Sequence, residues 1–324
     1  MTTPNALIAA LLAAVLGIAH AQDHTFVWYP NESAPEFADA RNAIVAAVED
    51  ALGVEVEQQL TTDYAIAIEA LVNENATFSW FGGEGYVQAH DREPAIEPLV
   101  VNSPSGSLDD AKYYSMLGTL VENTDQFKVG GEYDLSTLQG KRFSFVSNSS
   151  TSGFRVPSSI ISAEFGVPSE DLLVGGPDEV FSEVMFGGSH QGSFFNVLQG
   201  RADIGAFCNV CVDSYVEFDG DRNDPRAGDV IRVLEDADAP FNRVPGVEVE
   251  FVATVPVLNA PIVMNTNLLT DEQVAALEEA FTSEEIRANE AIFGPEGSTA
   301  FFEKGEGFLL VDDAWYDPIR ALAN

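Results

Sequence analysis

A run of hydroxyl side chains separates an apolar segment from a predicted helix. The segment reads Phe143-Ser-Phe-Val-Ser-Asn-Ser-Ser-Thr-Ser-Gly-Phe-Arg-Val-Pro157 and places Ser150, Thr151 and Ser152 where the helix would begin. The first backbone N–H groups of a helix lack internal partners and the helix dipole is positive there, so this turn can hold an oxyanion without a formal positive charge. An ordinary N-cap explains only one of the hydroxyls, and composition alone leaves both interpretations open.

A hydrolase would need a nucleophile, a base and an orienting acid, for which Ser150 or Ser189, His190 and Asp203 are the candidates. No Gly-x-Ser-x-Gly elbow is present, and Ser189 and His190 are adjacent in the chain rather than facing each other. We therefore expect no enzymatic activity.

The two cysteines, Cys208 and Cys211, are separated by two residues, and the spacing fits a local disulfide or two buried thiols equally well. A zinc site would need two further ligands, and the four histidines are scattered along the chain without metal-like spacing. We expect neither a metal ion nor a cofactor.

Short apolar strands alternate with amphipathic helices along the chain, a pattern that predicts an α/β fold. The first half contains predicted strands at 24–29, 54–60 and 76–81, with a helix over 36–52 that Gly53 ends. The second half contains further strands, including 142–146, 172–174 and 202–207, with helices over 153–165 and 192–198, before extended segments at 247–265 return towards the first half. Two lobes, each a mixed sheet flanked by helices, would leave a cleft between them for a ligand.

Several motifs follow one another in an order that resembles one protein family. Ser150-Thr-Ser-Gly153, followed by an aromatic residue and Val156-Pro157, resembles the anion loop of the phosphonate, phosphite and phosphate-type periplasmic substrate-binding proteins of ABC importers. Further similar segments are Thr62-Asp-Tyr-Ala65, Phe81-Gly-Gly, Lys112-Tyr-Tyr-Ser115, Gly188-Ser-His-Gln191, Asn196-Val-Leu-Gln-Gly-Arg-Ala-Asp-Ile204 and Ala260-Pro-Ile-Val263.

The resemblance implies a type II-like periplasmic-binding-protein fold with two crossover hinge strands. Residues 1–21 would be a signal peptide, 22–118 and 256–324 the first lobe, and 119–255 the second lobe. The protein would be a monomer that captures a phosphorus oxyanion (phosphonate, phosphite or phosphate) and delivers it to the membrane permease of an ABC importer. The alternative is a binding protein for another small organic anion, a carboxylate or a sulfonate.

By the same resemblance, Ser150, Thr151 and Ser152 would bind the phosphorus oxygens. Tyr64, Tyr113 and His190 would close over the anion from both lobes. A shift of one residue would exchange Tyr113 for Tyr114 across the strand, so this choice stays open.

The chain departs from relatives that bind aminoalkyl phosphonates, which carry a carboxylate in the loop after the Asp203 strand and another before the Pro-Ile-Val segment. Val210 and Ala260 stand there in this sequence. An ammonium group would then lack its partners unless Asp213 or Glu84 replaced them. We expect the ligand to have no amino group.

An apolar run over 6–19 ends in Ala19-His20-Ala21, a small-x-small pattern typical of a signal-peptide cleavage site. The run is shorter than the roughly 20 residues that a membrane-spanning helix needs. We expect cleavage before Gln22 and a periplasmic or extracellular location.

The sequence carries 52 Asp and Glu against 15 Lys and Arg, a formal net charge of -37. Such a surface lacks the basic footprint that a nucleic-acid backbone requires, so no nucleic acid is expected as a partner. The composition indicates adaptation to high salt, where screening reduces the repulsion among the carboxylates.

The charge predicts that the folded protein loses stability as ionic strength falls from molar to millimolar. The Debye length grows from about 3 Å to beyond 10 Å over that range, so more carboxylates repel one another. Thermal melting in a series of salt concentrations measures the effect. A melting temperature that does not change with salt would contradict the high-salt interpretation.

Overall fold

The protein is described by a computed structural model that covers residues 24–295 and 298–322. The predicted signal peptide, residues 1–21, lies outside this part of the chain. Within the described ranges no helix is long and apolar enough to cross a membrane.

The strands of the described residues form two large sheets and two small ribbons. In chain order they are β1 (His24–Trp28), β2 (Val56–Leu60), β3 (Phe78–Trp80), β4 (Ile96–Ser103), β5 (Lys112–Leu120), β6 (Lys128–Val129), β7 (Glu132–Tyr133), β8 (Arg142–Phe145), β9 (Glu183–Phe186), β10 (Ile204–Cys208), β11 (Val216–Asp219), β12 (Val230–Val233), β13 (Glu248–Leu258), β14 (Ile262–Asn265), β15 (Phe293–Gly294), β16 (Phe302–Glu303) and β17 (Gly307–Leu310).

The α-helices lie on both faces of the large sheets. They are α1 (Ala38–Leu52), α2 (Tyr64–Val72), α3 (Gly83–His90), α4 (Val156–Phe165), α5 (His190–Leu198), α6 (Asp271–Phe281), α7 (Glu284–Arg287) and α8 (Asp317–Ala321).

The first lobe is built on a six-stranded mixed sheet with the order β17-β4-β14-β3-β1-β2. Strand β1 pairs in parallel with β2 and β3, whereas β14 is antiparallel to both β3 and β4. Apolar side chains on the two faces of this sheet belong to separate buried clusters. One contains Phe26 and Val48 and the other contains Val27 and Leu71, so each face is covered by helices.

The second lobe is built on a seven-stranded mixed sheet with the order β11-β12-β13-β5-β10-β8-β9. Strands β8, β9 and β10 are parallel neighbours, and β10 joins them to the antiparallel part through β5. Two buried clusters, one around Phe207 and the other around Phe145, cover its faces. The expected arrangement of two mixed sheets flanked by helices is therefore confirmed.

Two long antiparallel strands carry the chain between the lobes. Strands β5 and β13 pair from Lys112↔Leu258 to Leu120↔Val249, and both lie in the sheet of the second lobe. The chain changes sheets just before Lys112 and just after Leu258, a few residues from the lobe boundaries predicted at 118/119 and 255/256. The backbone N–H of Asn259 donates to the Ala111 carbonyl (3.0 Å), which ties the two crossings together.

Local sequence signals fix several helix ends. Gly53 follows α1 with a φ of 67°, as its predicted capping role requires. Thr270 and Gln273 form a complete capping box at the start of α6. The strand predicted at 172–174 is wrong, because Ser169–Leu173 forms a 3-10 turn, and the true edge strand β9 follows it.

Candidate anion-binding site

A cavity of about 360 Å³ lies between the two lobes. Its lining includes every residue predicted to bind the ligand, from both lobes and from the crossover strand β5. These residues are Tyr64, Tyr113, Ser150, Thr151, Ser152 and His190.

The hydroxyl-rich turn begins with Ser150, which has extended backbone angles and accepts a hydrogen bond at Oγ from the Gly153 N–H (3.1 Å). Thr151–Arg155 then forms one π-helical turn that runs into α4, and such turns occur frequently at functional sites. A side chain at Gly153 would meet Val146 at 2.3 Å, so only glycine lets the turn pack on the end of β8. We call Ser150–Arg155 the anion turn.

Four helical N-termini meet at this cavity. Helix α2 begins at Tyr64, α5 begins at His190, and the anion turn begins at Thr151, all of which line the cavity. Helix α3 follows Gly82, which also lines it. The positive ends of four helix dipoles therefore act on one volume, which favours an anion there.

The anion turn docks directly on the first lobe. The backbone N–H of Glu84, in the first turn of α3, donates to Thr151 Oγ1 (2.8 Å). A Cβ atom at Gly82 would approach Thr151 Oγ1 to 2.7 Å, so glycine is needed for this contact. Because the Thr151 oxygen already accepts from Glu84, its own O–H is left to donate into the cavity.

A buried ion pair reinforces the same contact between lobes. Arg155 donates from Nε and Nη2 to the two carboxylate oxygens of Glu84, at 2.8 and 2.5 Å. The Glu84 side chain is only 2% exposed. Hydrogen bonding to Glu84 raises the pKa of Arg155, so the guanidinium stays charged. Glu84 is thus engaged by Arg155 and does not replace the absent carboxylates near the ligand.

The tyrosines at the cavity are neutral donors. Asn31 Nδ2 donates to Tyr64 Oη (2.6 Å), which directs the Tyr64 O–H away from Asn31. Burial raises the pKa of Tyr113 to about 12 and raises the pKa of Tyr64 even further. Tyr114 donates to Asp224 Oδ1 (3.0 Å) outside the lining, so Tyr113 is the one of the pair that lines the cavity.

His190 is buried and neutral. Burial lowers its pKa to about 3, and its backbone N–H donates to Asn31 Oδ1 of the first lobe (3.0 Å). Its Nε2 lies 3.4 Å from Ser150 Oγ. The tautomer protonated at Nδ1 would present one N–H donor to a bound anion.

The residues considered for a hydrolase do not form a triad, because Ser150 lies beside His190 but Asp203 does not. Asp203 is bound by the backbone N–H of Arg142 (2.8 Å) and by the Arg142 guanidinium, and it does not line the cavity. Ser189 Oγ caps α5 by accepting from the Gly192 N–H (3.0 Å). No carboxylate of the described residues orients His190, because its Nδ1 has no partner.

Four buried polar side-chain atoms lack a hydrogen-bond partner in the described part of the chain, and all four belong to residues that line this cavity. They are Tyr29 Oη, Glu32 Oε2, Ser152 Oγ and His190 Nδ1. Unpaired buried polar atoms are costly, so their collection at one place indicates a polar ligand. Tyr29 and Glu32 were not predicted from the sequence, although their position at the carboxyl end of β1 is where α/β sheets bind ligands.

The two cysteines are joined as a disulfide, which resolves the alternative that the sequence left open. Together with His190 they form a group of three possible metal ligands whose atoms lie within 4.8 Å of one another. The disulfide sulfurs are not thiolates, however, and zinc requires thiolate sulfur.

The lining of the cavity also includes charged side chains. Arg222 Nη2 lies 2.7 Å from Asp213 and its Nη1 lies 3.0 Å from Glu303 of the first lobe. Burial raises the pKa of Asp213 to about 6, although the Arg222 charge opposes this. Val210 and Ala260 also line the cavity, so the positions that lack carboxylates do face the ligand space. Its aromatic wall consists of Phe37, Trp80, Phe301 and Phe302.

Two α/β lobes joined by paired crossover strands, with helix N-termini directed at the cleft, define a periplasmic-type solute-binding protein. The chain matches the family of periplasmic substrate-binding proteins of phosphonate ABC transporters over residues 26–316. The protein belongs to this family. Its members are transport proteins that act outside the cytoplasm with a membrane permease.

Individual relatives agree with this assignment. The chain is 26% identical over 235 residues, 68% of each chain, to the phosphate-import protein PhnD of Mycolicibacterium smegmatis. Two solved structures share the fold. PhnD1 of Prochlorococcus marinus in complex with methylphosphonate has a TM-score of 0.67 at 17% identity, covering 92% of this chain and 96% of its own. A binding protein of a phosphonate transporter from Pseudomonas aeruginosa has a TM-score of 0.65 at 18% identity, covering 92% and 84%.

The Glu84–Arg155 pair predicts a variant that binds weakly but folds normally. Replacing Glu84 with Gln removes a charged hydrogen-bond partner that forms only when the lobes are closed, so ligand affinity should fall by about 1.5–3 kcal/mol. Titration calorimetry measures the loss, and thermal melting without ligand reports the fold.

The matched control is Glu69→Gln, which breaks the exposed Glu69–Arg92 pair within the first lobe. This change should leave affinity unaltered, because exposed pairs contribute about 0–1 kcal/mol and this one does not cross the cleft. Equal affinities for Glu84→Gln and the wild type would contradict the role of the pair in closure.

Proposed function

We propose that the protein captures a phosphorus oxyanion, namely a phosphonate, phosphite or phosphate, and delivers it to an ABC importer without chemical turnover. The observation that carries this proposal is the group of buried, unpartnered polar atoms at the meeting point of four helical N-termini. Ser150, Thr151, Ser152, Tyr64, Tyr113 and His190 are the proposed ligand-binding residues, with Tyr29 added.

The distribution of donors supports a tetrahedral anion over a planar one. Hydroxyls of the anion turn approach from the second lobe, while Tyr29 and Tyr64 approach from the first lobe and Tyr113 from the crossover strand. A planar carboxylate has two oxygens in one plane and would leave some of these donors unpaired, at a cost of roughly 1–3 kcal/mol each. A sulfonate, which is also tetrahedral, is the remaining competitor.

The cavity supports a ligand with an organic substituent. Its volume of about 360 Å³ lies within the range of pockets for small organic molecules, and one wall is aromatic. A phosphonate whose carbon group points towards Trp80 and Phe301 would fill both ends of the cavity.

Further parts of the proposal concern the whole protein. Export would depend on residues 1–21, and the mature protein would act as a monomer in a periplasmic or extracellular setting of high salt. Residues 22–118 with 256–324, and residues 119–255, would be the lobes that close by bending at β5 and β13.

Ser152→Ala tests the proposed anion contact. Ser152 Oγ lies near Tyr113 but has no hydrogen-bond partner among the described residues, so its removal should affect chiefly the ligand. Affinity for methylphosphonate should fall by about 1–3 kcal/mol, which is roughly five-fold to over a hundred-fold. Calorimetric titration with methylphosphonate, phosphite, phosphate and methanesulfonate gives the affinities.

The control is Ser158→Ala, which deletes a buried hydroxyl of α4 that donates to the Arg155 carbonyl (3.0 Å) and does not line the cavity. Its affinity should match that of the wild type. Binding of methanesulfonate alone, or no effect of Ser152→Ala on any ligand, would disprove the proposed anion contact.

The ion pairs of Arg222 predict how an amino group on the ligand changes its affinity. Asp213 and Glu303 are already paired with Arg222, so an ammonium beside Arg222 meets no free carboxylate, and aminoethylphosphonate should bind about ten-fold or more weakly than methylphosphonate. Arg222→Gln releases both carboxylates and should narrow or reverse this difference. If aminoethylphosphonate is the tighter ligand of the wild type, the expectation of a ligand without an amino group is wrong.

A further inference from the structure

Glu32 is one of five acidic residues of the described chain that line the cavity, together with Asp110, Asp213, Glu303 and Glu306. It lies in the loop after β1 and lines the cavity, and its Oε2 is buried without a hydrogen-bond partner among the described residues. Buried carboxyl oxygens normally accept hydrogen bonds, so the missing partner must come from the occupant of the cavity or from a proton on Glu32 itself.

No cation of the described residues neutralises this carboxyl by a salt bridge. Arg41 is the nearest candidate, but its Nη1 donates to the backbone carbonyls of Glu32 (2.5 Å) and Ala34 (2.7 Å). Burial raises the pKa of Tyr29, Tyr64 and Tyr113, and the Glu32 charge adds to this effect. The Arg41 charge lowers the pKa of Glu32 but does not offset its burial. The titratable groups that interact with Glu32 are Tyr29, Tyr64, Tyr113 and Arg41, and His190 lines the same cavity.

Burial raises the pKa of Glu32 to about 8. In the open protein, where water reaches the loop, the carboxyl would return to its ordinary pKa near 4.3. Between these pH values the closed protein holds a proton that the open protein has released. A bound anion strengthens this difference, because a negative charge nearby disfavours a second one.

We infer that Glu32 shares one proton with an oxygen of the bound phosphorus oxyanion. The inference rests on the proposed function. A dianion accepts a hydrogen bond from protonated Glu32, and a monoanion with a P–O–H group donates to ionised Glu32. The dianion with protonated Glu32 and the monoanion with ionised Glu32 contain the same single proton. Without that proton, a bound dianion would face the ionised carboxylate of Glu32.

The sign of the pH dependence of ligand affinity follows from the proton that Glu32 holds in the closed, loaded protein. Above the ordinary pKa of Glu32 the closed, loaded protein binds more protons than the open one, so binding weakens as pH rises. His190 acts in the opposite direction, because its burial in the neutral form opposes closure only below about pH 6.5. The two effects overlap between about pH 4.3 and 6.5, and only Glu32 acts above that range, so alkaline measurements isolate Glu32.

The test is titration calorimetry with methylphosphonate at about pH 9, where the ligand is a dianion, in two buffers of different ionisation enthalpy. The wild type should take up close to one proton per bound anion, and its affinity should fall about ten-fold per pH unit above that point. Glu32→Gln should take up none and show a flat affinity in this range. Glu32→Asp, which keeps an acid, should retain the uptake and serves as a second variant.

Glu57→Gln is the matched control, since it removes the same charge from an exposed position on β2. It should behave as the wild type. Binding by the wild type without proton uptake, or an uptake that persists in Glu32→Gln, overturns the role of Glu32 alone. Failure of the wild type to bind any phosphorus oxyanion overturns the proposed function, and this inference with it.

Discussion

The contact between the anion turn and the start of α3 governs the geometry of the whole cleft. Thr151 Oγ1 accepts from the Glu84 N–H, and Arg155 from the same turn holds the Glu84 carboxylate. One segment of the second lobe thereby caps a helix of the first lobe and neutralises its buried charge. The lobes cannot separate without exposing unpaired groups on both sides, and Gly82 is required because any larger residue would collide with Thr151.

The protein is strongly negative as a whole, whereas the residues proposed to bind the anion are neutral donors. A chain with a formal net charge of -37 would repel an anionic ligand if the cavity were not locally different. The residues that we propose to bind the anion supply neutral donors, namely hydroxyls, backbone N–H groups and an uncharged imidazole, together with helix dipoles. These act over a few ångströms, whereas the repulsion of the surface is a long-range effect that salt screens.

The anion turn could be predicted from the sequence because hydroxyl residues followed by glycine and a helix form a local pattern. All six residues predicted to bind the ligand line one cavity. Tyr29 and Glu32 were missed because their role depends on which strand ends meet at the cleft. The sequence also suggested Glu84 as a substitute for a lost carboxylate, whereas its partner Arg155 comes from the other lobe. Strand β9 escaped prediction because an edge strand is half exposed and lacks a clear alternation.

The donors proposed to hold the anion are divided between the two lobes, so the closed cleft would bind it as a bidentate ligand binds a metal ion. Each lobe alone offers a shallow half-site in which water competes well for the anion. The second half-site acts at a high effective concentration once the first is occupied, so the affinity of the closed protein exceeds that of either half by orders of magnitude. A permease that separates the lobes would therefore accelerate release steeply, because the groups proposed to hold the anion are neutral donors divided between the two lobes.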